Sequence, residues 1–447
     1  MLDVESRQRQ VESIAGGVMS LNRKIDPMRM FVRASGAYLW DHTNRKYIDY
    51  HAAFAPYLLG HGDPDIDQAV MEAIKRGDSL IGAGMTPWEV QIADLLAESV
   101  PYLDQVQLTS SGTEAVASAI RIARSFTGRD HILFMQGGYN GWMDSVAFNL
   151  MDPIEALWKH EPGTEHELRP ISAGMGSNAG QYSHVVEFND IEAVENVLKS
   201  QDVAAVVLEP ILQNIGIVKP QPGYLEAVRK LCDAYGALLI FDEVKTGFRH
   251  ALGGYQSICE VCPDLSVFGK AVANGYPMGV VGGKSRIMSY VAHPDPARRV
   301  LVAGTYNAHP FVVAAAIASI KKLRDRADEI YGHLERLGAL MEEGLNDIFS
   351  DRDYATTVVR QGSAFVVYFM DHAPVSWKDI ALNHNSKFDA RYRKMLIVNG
   401  IFHFPVETKQ GSISFAHTQA DIVRTLEITK NVLRLSLIHI SEPTRPY

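Results

Sequence analysis

Residues 237–243 read Ala-Leu-Leu-Ile-Phe-Asp-Glu, and residues 268–271 read Phe-Gly-Lys-Ala. The first stretch predicts a short buried strand that ends near Asp242, because five apolar residues run directly into two carboxylates. Ligands of open parallel sheets bind beyond the carboxyl ends of the strands, so a carboxylate there points into a crevice. Lys270 follows 270 − 242 = 28 residues later. The pair predicts a ligand site; an ordinary loop start and a solvated surface lysine are the alternatives.

A phosphate site is predicted where residues 109–115, Thr-Ser-Ser-Gly-Thr-Glu-Ala, join a strand to a helix. The apolar face of that helix recurs at Val116, Ala119, Ile120 and Ala123. The N-terminus of a helix offers free backbone N–H groups, and the helix dipole favours an anion there. Ser111 and Thr113 add hydroxyl donors, and Gly112 allows the backbone to approach a phosphate closely. Simple N-capping by serine or threonine is the alternative.

Together these motifs indicate pyridoxal phosphate chemistry, in which a lysine forms a Schiff base and an aspartate keeps the pyridine nitrogen protonated. Lys270 and Asp242 are the candidates for these two roles. Two competing phosphate motifs are not complete. Gly283-Lys-Ser resembles the end of a P-loop, but Met278 stands where the first glycine is required. No G-x-G-x-x-G follows a predicted strand, so a dinucleotide site is not supported.

The alternation of strands and helices over residues 56–310 predicts an α/β fold with a mainly parallel sheet that is covered on both faces. The strands are predicted at Gln105–Leu108, His131–Met135, Val203–Leu208, Ala237–Phe241, Leu265–Phe268 and Gly279–Gly282, with helices that include Thr113–Phe126 and Tyr224–Tyr235. Residues 151–182 show little periodicity and are long enough to form a lid.

Flanking segments complete the prediction. Before the large domain we expect a helix at Val4–Ala15 and strands near Met30–Arg33 and Ala37–Trp40. After it, a long helical stretch is predicted over Pro310–Phe349, followed by a smaller α+β domain with strands near Phe365–Phe369 and Ser412–Phe415 and helices near Lys387–Asn399 and Asp421–Arg434. The resulting domains are 1–55, 56–310 and 311–434; residues 435–447 break the helical pattern and are interpreted as a non-native tail.

Composition excludes several classes of protein. The chain has 447 residues and a net charge of −9, with no basic stripe, so a nucleic acid partner is not expected. Its beginning is polar and no apolar run is long enough for a membrane span, which predicts a cytoplasmic protein. Cys259-Glu-Val-Cys262 lacks a second pair of ligands at the usual spacing, so no metal site is predicted.

Over residues 16–433 the chain resembles the class III aminotransferases of the type I pyridoxal phosphate fold. It is most similar to the glutamate-1-semialdehyde aminomutase branch. The matching motifs include Gly36-Ala-Tyr-Leu, Leu59-Gly-His, Ser111-Gly-Thr-Glu-Ala, Glu209-Pro, Phe241-Asp-Glu-Val-Lys-Thr-Gly-Phe-Arg, Gly304-Thr and Ala416-His-Thr. Their order along the chain is specific for fold and cofactor, and less so for substrate.

The resemblance implies a role for each matched residue. Lys270 would bind pyridoxal 5'-phosphate, with Asp242 at the ring nitrogen and Ser111, Gly112 and Thr113 at the phosphate. Tyr139 and Val244 would pack on the two faces of the ring, Glu209 would lie near its phenolic oxygen, and Thr305 would reach the phosphate of the neighbouring subunit. The family therefore implies a homodimer whose active sites lie at the interface.

Substrate recognition is predicted from Arg23, Lys409 and Trp142, together with their neighbours. Arg23 matches the aminomutase arginine that binds the substrate carboxylate, a role that suits a planar guanidinium. Lys409 stands where the aminomutases have a glutamate, and Asn140 replaces a familiar histidine. Trp142, with Tyr57 and Phe54, could line an aromatic pocket, although such residues are more often core.

Residues 151–182 also differ from the aminomutase gating loop. These departures favour an aminotransferase that acts on a carboxylate-bearing amino acid, including β- or aryl amino acids, together with a keto acid acceptor. The alternatives are glutamate-1-semialdehyde 2,1-aminomutase and a binding protein that keeps the fold without turnover.

Overall fold

A computed structural model describes residues 13–25, 28–350 and 354–440. The helix predicted at Val4–Ala15 lies almost wholly outside these residues, as do residues 441–447 of the predicted tail. The last described helix runs on to Ile440, six residues beyond the predicted boundary at residue 434. The prediction that the helical pattern ends at residue 434 was therefore wrong, whereas the interpretation of residues 435–447 as a non-native tail remains a prediction.

Fourteen strands occur in the described part of the chain. They are β1 (Phe31–Ser35), β2 (Tyr38–Asp41), β3 (Lys46–Asp49), β4 (Gln105–Thr109), β5 (His131–Met135), β6 (Ser183–Val186), β7 (Val203–Leu208), β8 (Leu238–Glu243), β9 (Leu265–Phe268), β10 (Gly279–Gly283), β11 (Thr357–Gln361), β12 (Ala364–Tyr368), β13 (Ile401–Phe402) and β14 (Gly411–Ser412).

The main sheet has seven strands in the order β4-β10-β9-β8-β7-β5-β6. Its strands pair in parallel from β9 to β6, whereas β10 is antiparallel to both of its neighbours. Every residue of β7, β8 and β9 is buried, as expected for parallel strands covered on both faces. The predicted α/β class with a mostly parallel seven-stranded sheet is confirmed.

Helices cover the sheet and build the C-terminal part. The α-helices are α1 (Pro64–Lys75), α2 (Pro87–Ser99), α3 (Gly112–Thr127), α4 (Ile154–Leu157), α5 (Ile191–Ser200), α6 (Tyr224–Tyr235), α7 (Gln256–Cys259), α8 (Ser285–Met288), α9 (Pro310–Asp325), α10 (Ala327–Ser350), α11 (Trp377–Asn383), α12 (Ser386–Val398) and α13 (Gln419–Ile440). Short 3₁₀ turns occur at Ala15–Gly17, Leu21–Arg23, Lys270–Ala273 and Ser289–Ala292.

Two smaller sheets occur beside the main sheet, and the first of them joins N-terminal strands to a C-terminal strand. The first has the order β1-β2-β3-β13, in which the C-terminal strand β13 pairs in parallel with β3. The second has the order β11-β12-β14. The strand pairing explains how residues near Phe54 and residues near Phe404 come together on one side of the main sheet. The domain boundaries at residues 55, 310 and 434 remain predictions.

No helix in the described ranges combines the length and the apolar character that crossing a membrane requires.

Candidate active site

Strand β8 presents its two terminal carboxylates to opposite faces of the sheet, because successive residues of a strand alternate. Asp242 lines a cavity at the carboxyl end of the sheet. Glu243 is fully buried on the other face, where it accepts hydrogen bonds from the Thr246 hydroxyl and from the backbone N–H groups of Tyr255 and Gln256, at 2.6–2.8 Å. Glu243 therefore holds the turn after β8, and Asp242 is the carboxylate available for chemistry.

Two hydrogen bonds orient the carboxylate of Asp242. Its Oδ1 accepts from the backbone N–H of Val244 at 3.0 Å, and its Oδ2 accepts from the side-chain amide of Asn140 at 2.8 Å. Burial raises the pKa of Asp242, while these donors and the charge of Lys270 oppose the rise. A buried carboxylate of this kind binds strongly to a cation or to a protonated ring nitrogen.

Lys270 lies just beyond strand β9, which is parallel and adjacent to β8. Its backbone adopts a left-handed conformation, with φ of 48°, which is uncommon for a lysine and is typical of residues held in place by a functional site. Burial lowers the pKa of its amine, and the charges of Asp242 and Glu209 oppose that shift. An amine with a lowered pKa is a better nucleophile near neutral pH.

The N-terminus of α3 faces the same cavity. Ser111 caps the helix by accepting from the backbone N–H of Glu114 at 3.3 Å, and Gly112 and Thr113 begin the first turn. The backbone N–H groups of a first turn have no partner within their own helix. A Cβ at Gly112 would lie 2.8 Å from Cγ1 of Val244, so only glycine fits between the helix and the site. These features suit the phosphate end of a cofactor.

A second carboxylate fixes the loop that carries Tyr139. Oε1 of Glu209 accepts from the backbone N–H of Tyr139 at 2.7 Å, and Oε2 accepts from Gln213 N–H at 3.4 Å. Burial and the nearby charge of Asp242 raise the pKa of Glu209 to about 7. The ring of Tyr139 is 38% exposed and lines the cavity, as does Val244.

The cavity has a volume of about 670 Å³. It brings together most of the residues predicted from the sequence: Ser111, Gly112, Thr113, Tyr139, Glu209, Asp242, Val244, Lys270, Lys409 and also Phe54. Its volume and its mixture of apolar walls with a few charged groups are typical of a site for a small molecule.

The remaining predicted residues do not line this cavity within one chain. Arg23 is exposed, although its neighbours Leu21 and Lys24 line the cavity. Trp142 is 73% exposed, and Tyr57 lines a separate pocket. Thr305 is exposed on the surface, where a second subunit could reach it. Of the three aromatic residues predicted to form a pocket, Phe54 lines the cavity, whereas Trp142 and Tyr57 do not.

Sequence reasoning missed Lys245 as a member of the site. This lysine lines the cavity and donates to the backbone carbonyl of Gln213 at 2.5 Å. Burial and the nearby charges of Lys270 and Lys409 lower its pKa well below the usual value. Its signal in the sequence was its position directly after Asp242-Glu-Val, at the end of a buried strand.

The architecture and the site can now be compared with known proteins. Residues 20–389 match the family model described as Aminotransferase class-III. The chain belongs to the class III aminotransferases. Enzymes of this family are transaminases that depend on pyridoxal phosphate, and the seven-stranded fold is that of the type I transaminases.

Among curated relatives, a glutamate-1-semialdehyde 2,1-aminomutase of Methanothrix thermoacetophila is 37% identical over 428 residues, which are 96% of this chain and 95% of the relative. Among solved structures, an omega-transaminase from Sphaerobacter thermophilus has a TM-score of 0.87 at 29% identity and covers 96% of both chains. A β-phenylalanine aminotransferase from Variovorax paradoxus has a TM-score of 0.82 at 26% identity and covers 97% of this chain and 95% of its own.

The residues of this class III aminotransferase fit the cofactor of the family. The phosphate end of the cofactor fits the N-terminus of α3, where Gly112 leaves room beside Val244. The ring nitrogen at the other end fits the oriented carboxylate of Asp242. Pyridoxal phosphate supplies an electron sink that stabilises negative charge at a substrate carbon. The protein supplies the amine of Lys270 and the electrostatic surroundings.

Proposed function

We propose that the protein transfers an amino group from a carboxylate-bearing amino acid to a keto acid acceptor. The observation that carries this proposal is Lys409, which lines the cavity together with Lys24, Lys245 and Lys270 and keeps most of its positive charge at pH 7. A substrate with a carboxylate would have a cationic partner there. A cavity with a positively charged wall is poorly suited to a purely cationic or apolar amine.

Lys409 is better placed than Lys245 for substrate recognition. Its Nζ donates to the backbone carbonyl of Asn214 at 2.6 Å and to the sulfur of Met151 at 3.5 Å, and an ammonium group has a third hydrogen with which to bind an anion. Burial and the charge of Arg393 lower the pKa of Lys409 to about 8, so the amine remains largely cationic at pH 7. The resemblance to aminomutases implies a glutamate at the position of Lys409. This part of the cavity is therefore positively charged here, whereas it would be negatively charged in an aminomutase.

Lys270 would perform the proton transfers. As a free amine, its Nζ would take a proton from the reacting substrate carbon or return one. Asp242 would hold the ring nitrogen in its protonated form, and Asn140 would keep Asp242 in position. The ring of Tyr139 and the side chain of Val244 would restrain the cofactor from its two faces.

An aromatic part of the substrate would find a partner on one wall. The rings of Phe54 and Phe404 both line the cavity, with their centroids 5.2 Å apart. This wall supports β- or aryl amino acids as substrates, and a similar protein carries the name β-phenylalanine aminotransferase.

A homodimer is part of the proposal. Thr305 lies on the surface of one chain and would complete the phosphate site of the neighbouring subunit. The exposed Arg23 is adjacent in sequence to Asn22 and Lys24, which line the cavity, and we propose that it binds the substrate carboxylate. We further propose a cytoplasmic location for the protein, in line with the absence of a long apolar run from the sequence.

The second candidate is glutamate-1-semialdehyde 2,1-aminomutase. It is favoured by the identity of 37% with a protein of that name over nearly the whole chain. A third possibility, a binding protein that has lost turnover, is opposed by the presence of both Lys270 and Asp242 in one cavity.

Single-substrate spectroscopy separates the two enzymes. Each amino donor is added alone to the yellow holoenzyme, and the conversion of the cofactor to its amine form is followed by absorbance. Keto acids are then tested for recovery of the colour. Conversion by several carboxylate-bearing donors supports the aminotransferase; formation of 5-aminolevulinate from the semialdehyde, with no response to other donors, would establish the second candidate instead.

A further inference from the structure

Residues 151–182 contain two histidines that meet a glutamate from the edge of the main sheet. The rings of His160 and His166 stack with their centroids 3.5 Å apart and their planes at 14°. Glu187 follows strand β6 directly, and its Oε2 lies 3.0 Å from Nε2 of His166. One ligand-type atom from each of the three residues lies within 4.8 Å of the others.

Two polar atoms of this cluster have no partner among the residues that the structure describes. They are Nε2 of His160 and Oε1 of Glu187, and both atoms are buried. Glu187 is only 8% exposed and His166 only 7%. A buried donor or acceptor without a hydrogen bond destabilises the folded state. An unpaired carboxylate oxygen and an unpaired imidazole nitrogen in one cluster are therefore better explained by a ligand than by packing.

We propose that His160, His166 and Glu187 bind a divalent transition-metal ion, with Zn²⁺ as the preferred ion. Two imidazole nitrogens and one carboxylate are a ligand set that zinc accepts, with a fourth position open to water. Binding requires the His160 ring to turn out of its stacked position so that its Nε2 converges with that of His166. The metal then replaces the direct contact between His166 and Glu187.

The charges around the cluster are compatible with a cation. The amine of Lys378 lies near the cluster, but it donates to the His160 backbone carbonyl at 2.7 Å. Asp190 is used as a helix cap and by the backbone N–H of Gly163.

The site is structural, because its position joins the 151–182 segment to the sheet. The backbone N–H of His166 donates to the carbonyl of Val185 in β6 at 2.8 Å, so one ligand is already tied to that strand. Leu150 and Ile171, which lie on either side of the two histidines in sequence, line the active-site cavity. A metal at this point would hold the segment in the position that forms this wall.

The chain offers a matched control in a second trio. Nδ1 of His131 lies 2.8 Å from Nε2 of His184, and Nδ1 of His184 lies 2.6 Å from Glu165. In this trio both nitrogens of His184 already have partners, so we expect it to bind no metal. His131→Gln removes a histidine near the same strand and leaves the proposed site intact.

The test uses the untagged holoenzyme, stripped with a chelator and then dialysed against ZnCl₂ or CoCl₂ at pH 7.5. We expect one Zn²⁺ per chain by elemental analysis, and visible absorption bands of bound Co²⁺. Both signals should disappear in His166→Gln and in Glu187→Gln and persist in His131→Gln. Cofactor absorbance of each variant reports whether it is folded.

The proposal is overturned if the wild type retains no metal after dialysis, or if His166→Gln retains as much as the wild type. If His166→Gln fails to fold, His160→Gln is decisive, because its ring is partly exposed and its Nε2 makes no other bond among the described residues. Retention of the Co²⁺ spectrum in His160→Gln would exclude His160 as a ligand. These readouts do not depend on the substrate, so failure here leaves the proposed transaminase function unaffected.

Discussion

The side-chain amide of Asn140 donates to Oδ2 of Asp242 over 2.8 Å at the floor of the cavity. Both residues are buried, at 3% and 2% exposure, so water does not compete for this bond. The second oxygen of Asp242 is bound by a backbone N–H that no substitution of side chain removes. Among the described residues, Asn140 therefore provides the side-chain hydrogen bond that orients the carboxylate, and it is a positioning residue.

Asn140→Ala should lower kcat/KM by about 10- to 100-fold, because a buried hydrogen bond to a charged group is worth ~1.5–3 kcal/mol. The same variant should shift the pH dependence of the cofactor absorbance, since the pKa of Asp242 rises further when the amide is lost. Steady-state kinetics and a spectral titration measure both effects. Unchanged kinetics together with an unchanged titration would show that Asn140 does not act through Asp242.

Gly112→Ala should weaken cofactor binding by about 10-fold or more. Its Cβ would lie 2.8 Å from Cγ1 of Val244, and relieving such overpacking costs ~1–3 kcal/mol. Gly176→Ala is the matched control, because a Cβ there meets no atom within 4 Å. The dissociation constant of pyridoxal phosphate, measured by dialysis and absorbance, should rise in the first variant alone. Equal affinities in the two variants would place the phosphate elsewhere.

Lys409→Gln should raise KM for the carboxylate-bearing donor by about 10-fold with a smaller change in kcat, because a buried charge-assisted hydrogen bond contributes ~1.5–3 kcal/mol. The wild-type pKa of about 8 means that the lysine is cationic below that pH and neutral above it. The affinity of the wild type for the donor should therefore fall as pH rises through 8, and the variant should lack this fall.

Lys394→Gln, which removes an exposed lysine from α12, is the control. A KM that is the same in Lys409→Gln and Lys394→Gln would contradict the assignment.

Glu209 should make the stability of the apoprotein depend on pH. Its pKa is about 7 in the folded chain, whereas an unperturbed glutamate has a pKa of 4.5, so the folded state binds more protons between these values. Stability contributed by this group is therefore full below pH 4.5 and decreases as pH rises towards 7. Glu209→Gln should remove at most about 3 kcal/mol of this decrease. Urea unfolding at pH 5 and pH 7.5 gives the loss of unfolding free energy between the two pH values. If this loss is the same in the wild type and in Glu209→Gln, the prediction is refuted.

The main sheet could be predicted closely from the sequence. The bounds of β5, β7 and β9 agree with the prediction, because each strand is a short and mainly apolar run, which is typical of buried strands in an α/β chain. Strand β6, which reads Ser-His-Val-Val, was missed. It is short and begins with two polar residues, and only its pairing with β5 makes it a strand.

The site was predictable where its residues lie at the ends of apolar runs. Asp242, Lys270 and the start of α3 are of this kind. The contact between Asn140 and Asp242 joins residues 102 positions apart, and no local pattern indicates it. The cluster of His160, His166 and Glu187 has no recognisable ligand spacing, because the third ligand comes from a different element.

The most direct test of the account is covalent trapping of the cofactor. The holoenzyme is reduced with borohydride, digested and mapped by mass spectrometry, with Lys270→Ala as the control. The account predicts that the pyridoxyl group is found on the peptide that contains Lys270, and that Lys270→Ala shows no such modification and no transamination. A pyridoxyl group on Lys245 or Lys409, with Lys270 unmodified, would contradict it.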